Sequence, residues 1–222
     1  NTSDTLGVVG YTINFSDTIG NAGVAVTATT DDSQVTIVGT KTGTITTTTT
    51  AGLQLGADID GDVTGDHSGQ GVSLSSDGTI VAIGAPYNDD TGGNAGTVRV
   101  YQRDESNTTV APIGWTKLGN DIDGEDAGDY SGSSVSLSSD GTIVAIGAFG
   151  ANASSGRVRV YQRDESNTTV TPIGWTKLGA DIVGEKSSDQ SGQAVSLSSD
   201  GTIVAIGATF NDGTDNAAGH VR

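Results

Sequence analysis

Short runs in which Val, Ile and Leu alternate with Ser, Thr and Arg, each closed by Gly, Asp or Asn, fill most of this chain. Alternation of that kind predicts strands that are half buried, and the polar clusters between them predict turns. One 60-residue stretch illustrates the pattern. Gly71–Ser75 alternates, Ser76-Asp77-Gly78 turns, and Thr79–Gly84, Thr97–Gln102 and Trp115–Leu118 follow as three further strands. The Asp-Gly pair between apolar runs predicts a tight hairpin with both central residues at positive φ. Ile80-Val81-Ala82-Ile83 is almost continuously apolar, which predicts an inner strand buried on both faces.

The same pattern returns. Val72–Ala85, Val135–Ala148 and Val195–Ala208 are identical, VSLSSDGTIVAIGA, and VRVYQRDESNTTV occurs at both Val98–Val110 and Val158–Val170. PIGWTKLG follows each of the latter, at Pro112–Gly119 and Pro172–Gly179, and the third copy reaches only Gly219-His220-Val221-Arg222. A fixed period of about 60 residues predicts stacked or radial units. Four short antiparallel strands per unit predict the blades of a β-propeller, whose rings close with about four to eight blades. The expectation is therefore an all-β chain, a partial β-propeller of four-stranded antiparallel blades behind an N-terminal β-sandwich remnant. Its repeats run over 55–117, 118–177 and, truncated, 178–222, and further blades of a parent chain are expected partners.

SGQGVSLSSDGTIVAIGAP followed by AGTVRVY resembles the FG-GAP repeat of integrin-α-type propellers. The likeness rests on Ser68-Gly69, Gly84-Ala85-Pro86 and Gly96–Tyr101, with Phe149 and Thr209 in place of the proline in later copies. It covers about residues 52–222. It implies a seven-bladed propeller used in extracellular binding and adhesion, often with calcium in a D-x-D-x-D-G hairpin loop. Here that loop is Ser-Ser-Asp-Gly with a single carboxylate, so the family's calcium site does not carry over.

Ahead of the repeats, Tyr11–Phe15 and Val24–Thr30 also alternate, joined by a turn over 16–23. YTINFSDTIGNAGVAVTATTDDSQVTI resembles the closing strands of bacterial Ig-like adhesin modules. Residues 1–43 are accordingly expected to be part of such a sandwich, and the Thr-rich 44–54 a linker. The chain starts at Asn1 and ends within a repeat, and is expected to be an excerpt of something longer.

Composition narrows the partners. Ten basic residues against 27 acidic ones leave a net charge of −17, which repels nucleic acid and anionic membranes. Cysteine is absent, which excludes disulfides and thiolate metal sites. No apolar run reaches the length of a membrane span, so membrane insertion is not expected. The expected location is extracellular or at a cell surface.

The candidate chemistry lies in the acidic stretch before each first strand. Asp58, Asp60, Asp62 and Asp66 recur as Asp121, Asp123, Glu125 and Asp129, then as Asp181, Glu185 and Asp189, with Val183 replacing the second aspartate. Hard cations prefer such oxygen-rich clusters, so calcium is the expected ligand, although the twelfth-position glutamate of an EF-hand is missing. The alternative is that these carboxylates only cap turns.

Trp115, Trp175, Tyr101 and Tyr161 are expected in the core, with sugar stacking as the other reading. Arg99, Arg103, Arg159 and Arg163 are expected to form solvated cross-strand pairs with Asp104, Glu105, Asp164 and Glu165. Asn107, Asn152 and Asn167 begin glycosylation sequons. His67 and His220 are unique to their copies, and no nucleophile–base pair stands out, so the chain is not expected to be an enzyme. The loops Tyr87–Gly96, Phe149–Ser155 and Thr209–Ala218 differ most between copies and are where specificity is expected. The function expected is non-enzymatic extracellular binding or adhesion toward a protein or glycan. The alternatives are a structural spacer without a ligand, or a propeller hydrolase whose site lies in further blades.

Overall fold

The computed structural model describes residues 25–28, 35–38, 54–213 and 215–222. The chain divides into two compact units, Asn1–Leu55 and Gly56–Arg222. In the first, β1 (Ala25–Ala28) pairs antiparallel with β2 (Val35–Val38). β1 lies within the expected strand Val24–Thr30, whereas Tyr11–Phe15 and most of the expected linker lie outside the described residues.

The second unit consists of consecutive antiparallel sheets. Blade 1 contains β3 (Gly71–Leu74), β4 (Ile80–Ala85), β5 (Thr97–Arg103) and β6 (Trp115–Lys117), hydrogen-bonded in that order. The next segment, β7 (Ile122–Asp123), pairs back onto the start of β5, with Val98 opposite Ile122 and Thr97 opposite Asp123. Blade 2 repeats this plan with β8 (Ser131–Leu137), β9 (Ile143–Ala148), β10 (Arg157–Arg163), β11 (Trp175–Lys177) and β12 (Ile182–Val183). A short turn, α1 (Ala151–Ser154), joins β9 to β10 with positive φ at its last three residues. Blade 3 contains β13 (Ser191–Leu197), β14 (Val204–Ala208) and β15 (His220–Val221). The fold is thus all-β and partial-propeller-like. The four strands expected in a blade appear within one or two residues of their expected bounds.

The β3–β4 turn differs from expectation. Gly78 has φ +72°, but Asp77 is not at positive φ, and Gly78 N–H donates to the Ser75 carbonyl at 2.9 Å. The loop is a turn followed by one left-handed glycine, the longer alternative to a two-residue hairpin. Asp77 prefers it because its carboxylate accepts from Ser75 Oγ at 2.7 Å, Thr79 N at 3.0 Å and Thr79 Oγ1 at 2.9 Å. Asp140 and Asp200 repeat the arrangement in the next two blades.

The Thr79 amide and the Ser75 hydroxyl hold the Asp77 carboxyl down to about 2, and the Ser198 hydroxyl and Thr202 amide do the same for Asp200. Groups lowered on folding stabilise the fold above their unfolded value, 3.8 here, and that stability is lost as pH falls through about 2. The melting temperature is therefore expected to drop as pH is lowered across that window. In Asp77→Asn/Asp200→Asn the drop should be shallower, as read by circular-dichroism melts; an unchanged slope would contradict it.

Blades stack through their backbones. A side chain at Gly84 would overlap the Gly132 carbonyl, and one at Gly147 the Gly192 carbonyl. Ser76, Ser139 and Ser199 form a ladder across the hairpins, Ser76 N donating to Ser139 O at 2.8 Å and Ser139 N to Ser199 O at 2.7 Å. Between blades 1 and 2, Ala82, Val98 and Val100 pack with Val135, Leu137, Val144 and Ile146, all buried. β4 is buried from Val81 onward, as its apolar run predicts. Trp175 and Tyr161 join this core, and Trp175 Nε1 donates to the Leu118 carbonyl at 2.9 Å. Both are core residues, as is Tyr101, which packs with Val81, Ile83 and Trp115.

Candidate binding face at the connector end of the blades

The acidic connectors and the variable loops share one end of each blade, because both lie next to the starts of the first and third strands. The geometry gives most of the connector carboxylates a protein partner. Arg99 bonds Asp62 at 2.7 Å and Arg159 bonds Glu125 at 3.2 Å, with Arg222 and Glu185 repeating the pair at 3.6 Å. Lys117 and Lys177 hold Asp121 and Asp181 at 2.6 and 2.8 Å. Asp123 accepts from Thr97 Oγ1 at 2.7 Å, and burial pushes its carboxyl up. Burial also pushes Asp181 up, but hydrogen bonds from Lys177 and Arg157 outweigh it and hold the carboxyl below its ordinary range. Asp60 is exposed, and Asp58 also lies on the first connector.

Arg99 and Arg159 therefore depart from the solvated cross-strand pairs expected of them. Each is only 3% exposed, because its position on the third strand lies beneath the connector rather than beside the Asp104 or Asp164 loop. Arg103 and Arg163 do make exposed-side pairs, with Glu105 at 3.1 Å and Glu165 at 3.4 Å.

The last carboxylate of each connector is buried, and the blades satisfy it in two ways. Asn88 Nδ2 donates to Asp66 at 3.1 Å and Asn211 Nδ2 donates to Asp189 at 2.9 Å. In blade 2 the equivalent loop residue is Ala151, which keeps the backbone bond of the asparagines but has no amide. Arg157 replaces it from β10, where blade 1 has Thr97, and reaches Asp129 at 2.8 Å and Asp181 at 3.1 Å, with Glu125 beside it. Burial disfavours the Arg157 charge, but these carboxylates outweigh it and raise its pKa.

Calcium takes about six to eight oxygens in one cage. Among the described residues no three Asp, Glu, His or Cys side chains are gathered so as to hold a metal ion. The paired connector carboxylates face arginine, lysine, threonine and asparagine rather than one another. Melting temperatures in millimolar calcium and in chelator are expected to coincide. A calcium-dependent rise abolished by Asp60→Ala and Asp123→Ala would reverse this assignment.

Above the connectors runs a row of rings. His67 and Tyr87 have centroids 4.6 Å apart, Tyr87 and Tyr130 meet edge to face at 5.4 Å, and Tyr130 stacks on Phe149 at 5.0 Å with planes 2° apart. His67 is exposed and the other three are half-buried. Beside the row, Val63–Asp66, Tyr87–Asp90 and Asn94 line a cavity of about 170 Å³. Asn88 Nδ2 spans Asp66 and Asp90 there, and Asp89 accepts from the Asn94 amide at 2.6 Å.

Sequence reasoning passed over this row, treating His67 only as unique to its copy. Its signal was the residue before each of the first two Ser-Gly pairs, His67 and Tyr130, together with the aromatic residue two places after Gly84-Ala85, Tyr87, and the one directly after Gly147-Ala148, Phe149. The sequon residues Asn107 and Asn167 are engaged otherwise. Asn107 Nδ2 donates to the carbonyls of Val110 and Trp115 at 2.8 and 2.6 Å, and Asn167 repeats this with Val170 and Trp175 at the same distances.

A partial-propeller arrangement of antiparallel blades, joined by ion-paired connectors, is the class that fold and site define. The family model for the FG-GAP repeat matches residues 59–101, from the first connector to Tyr101 in β5. No curated protein matches the chain. Among solved structures, the chain is similar to Kuenenia stuttgartiensis hydrazine synthase at 14% identity and a TM-score of 0.39. The match covers 68% of this chain, which spans 44% of that one.

Proposed function

We propose that this chain is a non-enzymatic extracellular binding module that recognises a glycan through the connector end of its blades. The observation that carries the reading is the His67–Tyr87–Tyr130–Phe149 row, flanked by the amide and carboxylate groups of Asn88, Asp89, Asp90 and Asn94. Sugars present apolar C–H faces and rings of hydroxyls, and such a surface offers aromatic area beside hydrogen-bonding groups. The row draws on the loops that vary between repeats, where specificity belongs. The cleft's polar side chains are bonded to one another, which suits holding a ligand better than attacking one.

One further observation supports an extracellular setting: the matched repeat resembles those of extracellular propellers. The resemblance of residues 1–43 to Ig-like adhesin modules would make the chain one stretch of a modular surface adhesin. Its net charge of −17 favours a neutral or basic partner over an anionic one.

A glycan array probed with the labelled chain, followed by titration of its best saccharide, tests this. Tyr87→Ala and Tyr130→Ala should each weaken binding by about tenfold. If no saccharide is bound, the glycan reading fails and the spacer reading replaces it; if both variants bind like the parent, the aromatic row is not the binding site.

A further inference from the structure

Three sequons lie among the described residues, and the fold treats them differently. Asn107 and Asn167 are fastened into the outer hairpins of their blades. Asn107 Nδ2 donates to the carbonyls of Val110, Pro112 and Trp115 at 2.8, 3.3 and 2.6 Å, and Asn167 Nδ2 to those of Val170, Pro172 and Trp175 at 2.8, 3.2 and 2.6 Å. The two Oδ1 atoms accept from the amides of Val110 and Val170 at 3.0 and 2.9 Å. A side-chain amide nitrogen has only two hydrogens, so a sugar on it would replace one of them and leave loop carbonyls without their donor.

Asn152 is built the other way. It lies on α1, where it and Ala153 are exposed, and neither the Asn152 amide nor the Ser154 hydroxyl makes a hydrogen bond among the described residues. The turn is attached through its carbonyls instead: Ala153 accepts from Ser187 Oγ at 2.8 Å and Ser154 from the Gln190 amide at 2.9 Å. Asn152, Ala153 and Ser154 have φ of +52°, +56° and +62°. Successive left-handed residues without a glycine are strained, because each Cβ crowds the following carbonyl oxygen. Relaxing this turn towards an extended chain releases that strain, whereas opening either of the other two loops breaks its asparagine anchor.

We propose that Asn152 is an acceptor of an N-linked sugar, and that the fold withholds Asn107 and Asn167 from the same reaction. Asn-x-Ser/Thr is the pattern that N-linked glycosyl transfer reads, and the transfer favours surface loops. The donor class is a sugar activated as a diphosphate ester. Asn152 Nδ2 forms a bond to the anomeric carbon, and the bond from that carbon to the diphosphate oxygen breaks. The diphosphate leaves with the bonding pair, and the amide proton passes to a base of the transferase. What separates the three sites is the state of Nδ2 rather than the triplet, which is present at all of them. This inference is independent of what the connector end binds.

Incubating the folded chain with a soluble sequon-reading glycosyltransferase and uridine-diphosphate glucose, followed by tryptic peptide mapping, tests it. Asn152 lies in Leu118–Arg157, whereas Asn107 and Asn167 lie in Asp104–Lys117 and Asp164–Lys177, which differ at Ala111 and Thr171. Asn1 and Asn14 begin two more sequons outside the described residues, and the mapping reads them separately. Asn152 should gain a hexose faster than Asn107 or Asn167 by about tenfold or more, the equivalent of one net hydrogen bond. In the isolated tryptic peptides, where no fold holds the anchors, Asn107 and Asn167 should react at least as fast as Asn152. Asn152→Gln should leave Leu118–Arg157 without sugar. An Asn152 that gains no hexose in the folded chain, an Asn107 or Asn167 that keeps pace with it there, peptides in which Asn152 keeps the same lead, or sugar on Leu118–Arg157 of the variant would each overturn the inference.

Discussion

Replacing Asp129 with alanine is expected to destabilise the blade array by about 3–5 kcal/mol, the range for removing one partner of a buried ion pair. Asp129 is 2% exposed, and the Arg157 guanidinium it holds is 5% exposed. Without the carboxylate, a buried positive charge keeps only Asp181 and the more exposed acids near it. Asp66→Ala removes a neutral amide contact from Asn88 and should cost less, about 1–3 kcal/mol. Urea unfolding of both variants reads the difference directly. Equal losses would show that Arg157 contributes nothing special to blade 2. The exchange of partners between blades permits a sharper test. Arg157→Thr alone should be strongly destabilising, and adding Ala151→Asn, which restores the pair used in blade 1, should recover part of the loss. Recovery within the additivity error of about 0.5 kcal/mol would mean the two positions are not coupled.

The second large effect is expected at Trp175. It is 1% exposed, packs in the core shared by blades 1 and 2, and donates its indole N–H to Leu118. Trp175→Ala should cost about 3–5 kcal/mol. Trp115 has the same neighbours in sequence but is only half-buried, against Ile59, Val81, Ile83 and Tyr101. Trp115→Ala should therefore cost clearly less. Equal losses would mean that stacking between blades adds little to the tryptophan's contribution.

The contrast between these residues marks where local pattern stops being informative. Trp115 and Trp175 sit in identical PIGWTKLG segments, so the sequence places both in the same strand and the same face. Their burial differs because burial depends on which blade lies in front, and that is a property of the stack.

The repeat period, the strands and their order were all legible in the residues, because alternation and turn chemistry act over a few positions. The single left-handed glycine of the hairpins was not. Both turn types use Asp-Gly, and the choice was made by the hydroxyls of Ser75 and Thr79 converging on Asp77.

The connectors show the same division. Their carboxylates are visible in sequence as an oxygen-rich cluster, but the groups that pair with them are not. Only the packed structure brings Arg99 to Asp62, Arg159 to Glu125, and Arg157 to the carboxylate that Asn88 and Asn211 serve elsewhere. Ion pairs and ring contacts join residues far apart along the chain, so they are decided when one sheet is laid on the next. The sequence by itself determined the blades, since hydrogen-bonded strands and turns depend on near neighbours. Tertiary structure decided what each charged or aromatic side chain touches, since that depends on the twist and stacking of whole sheets.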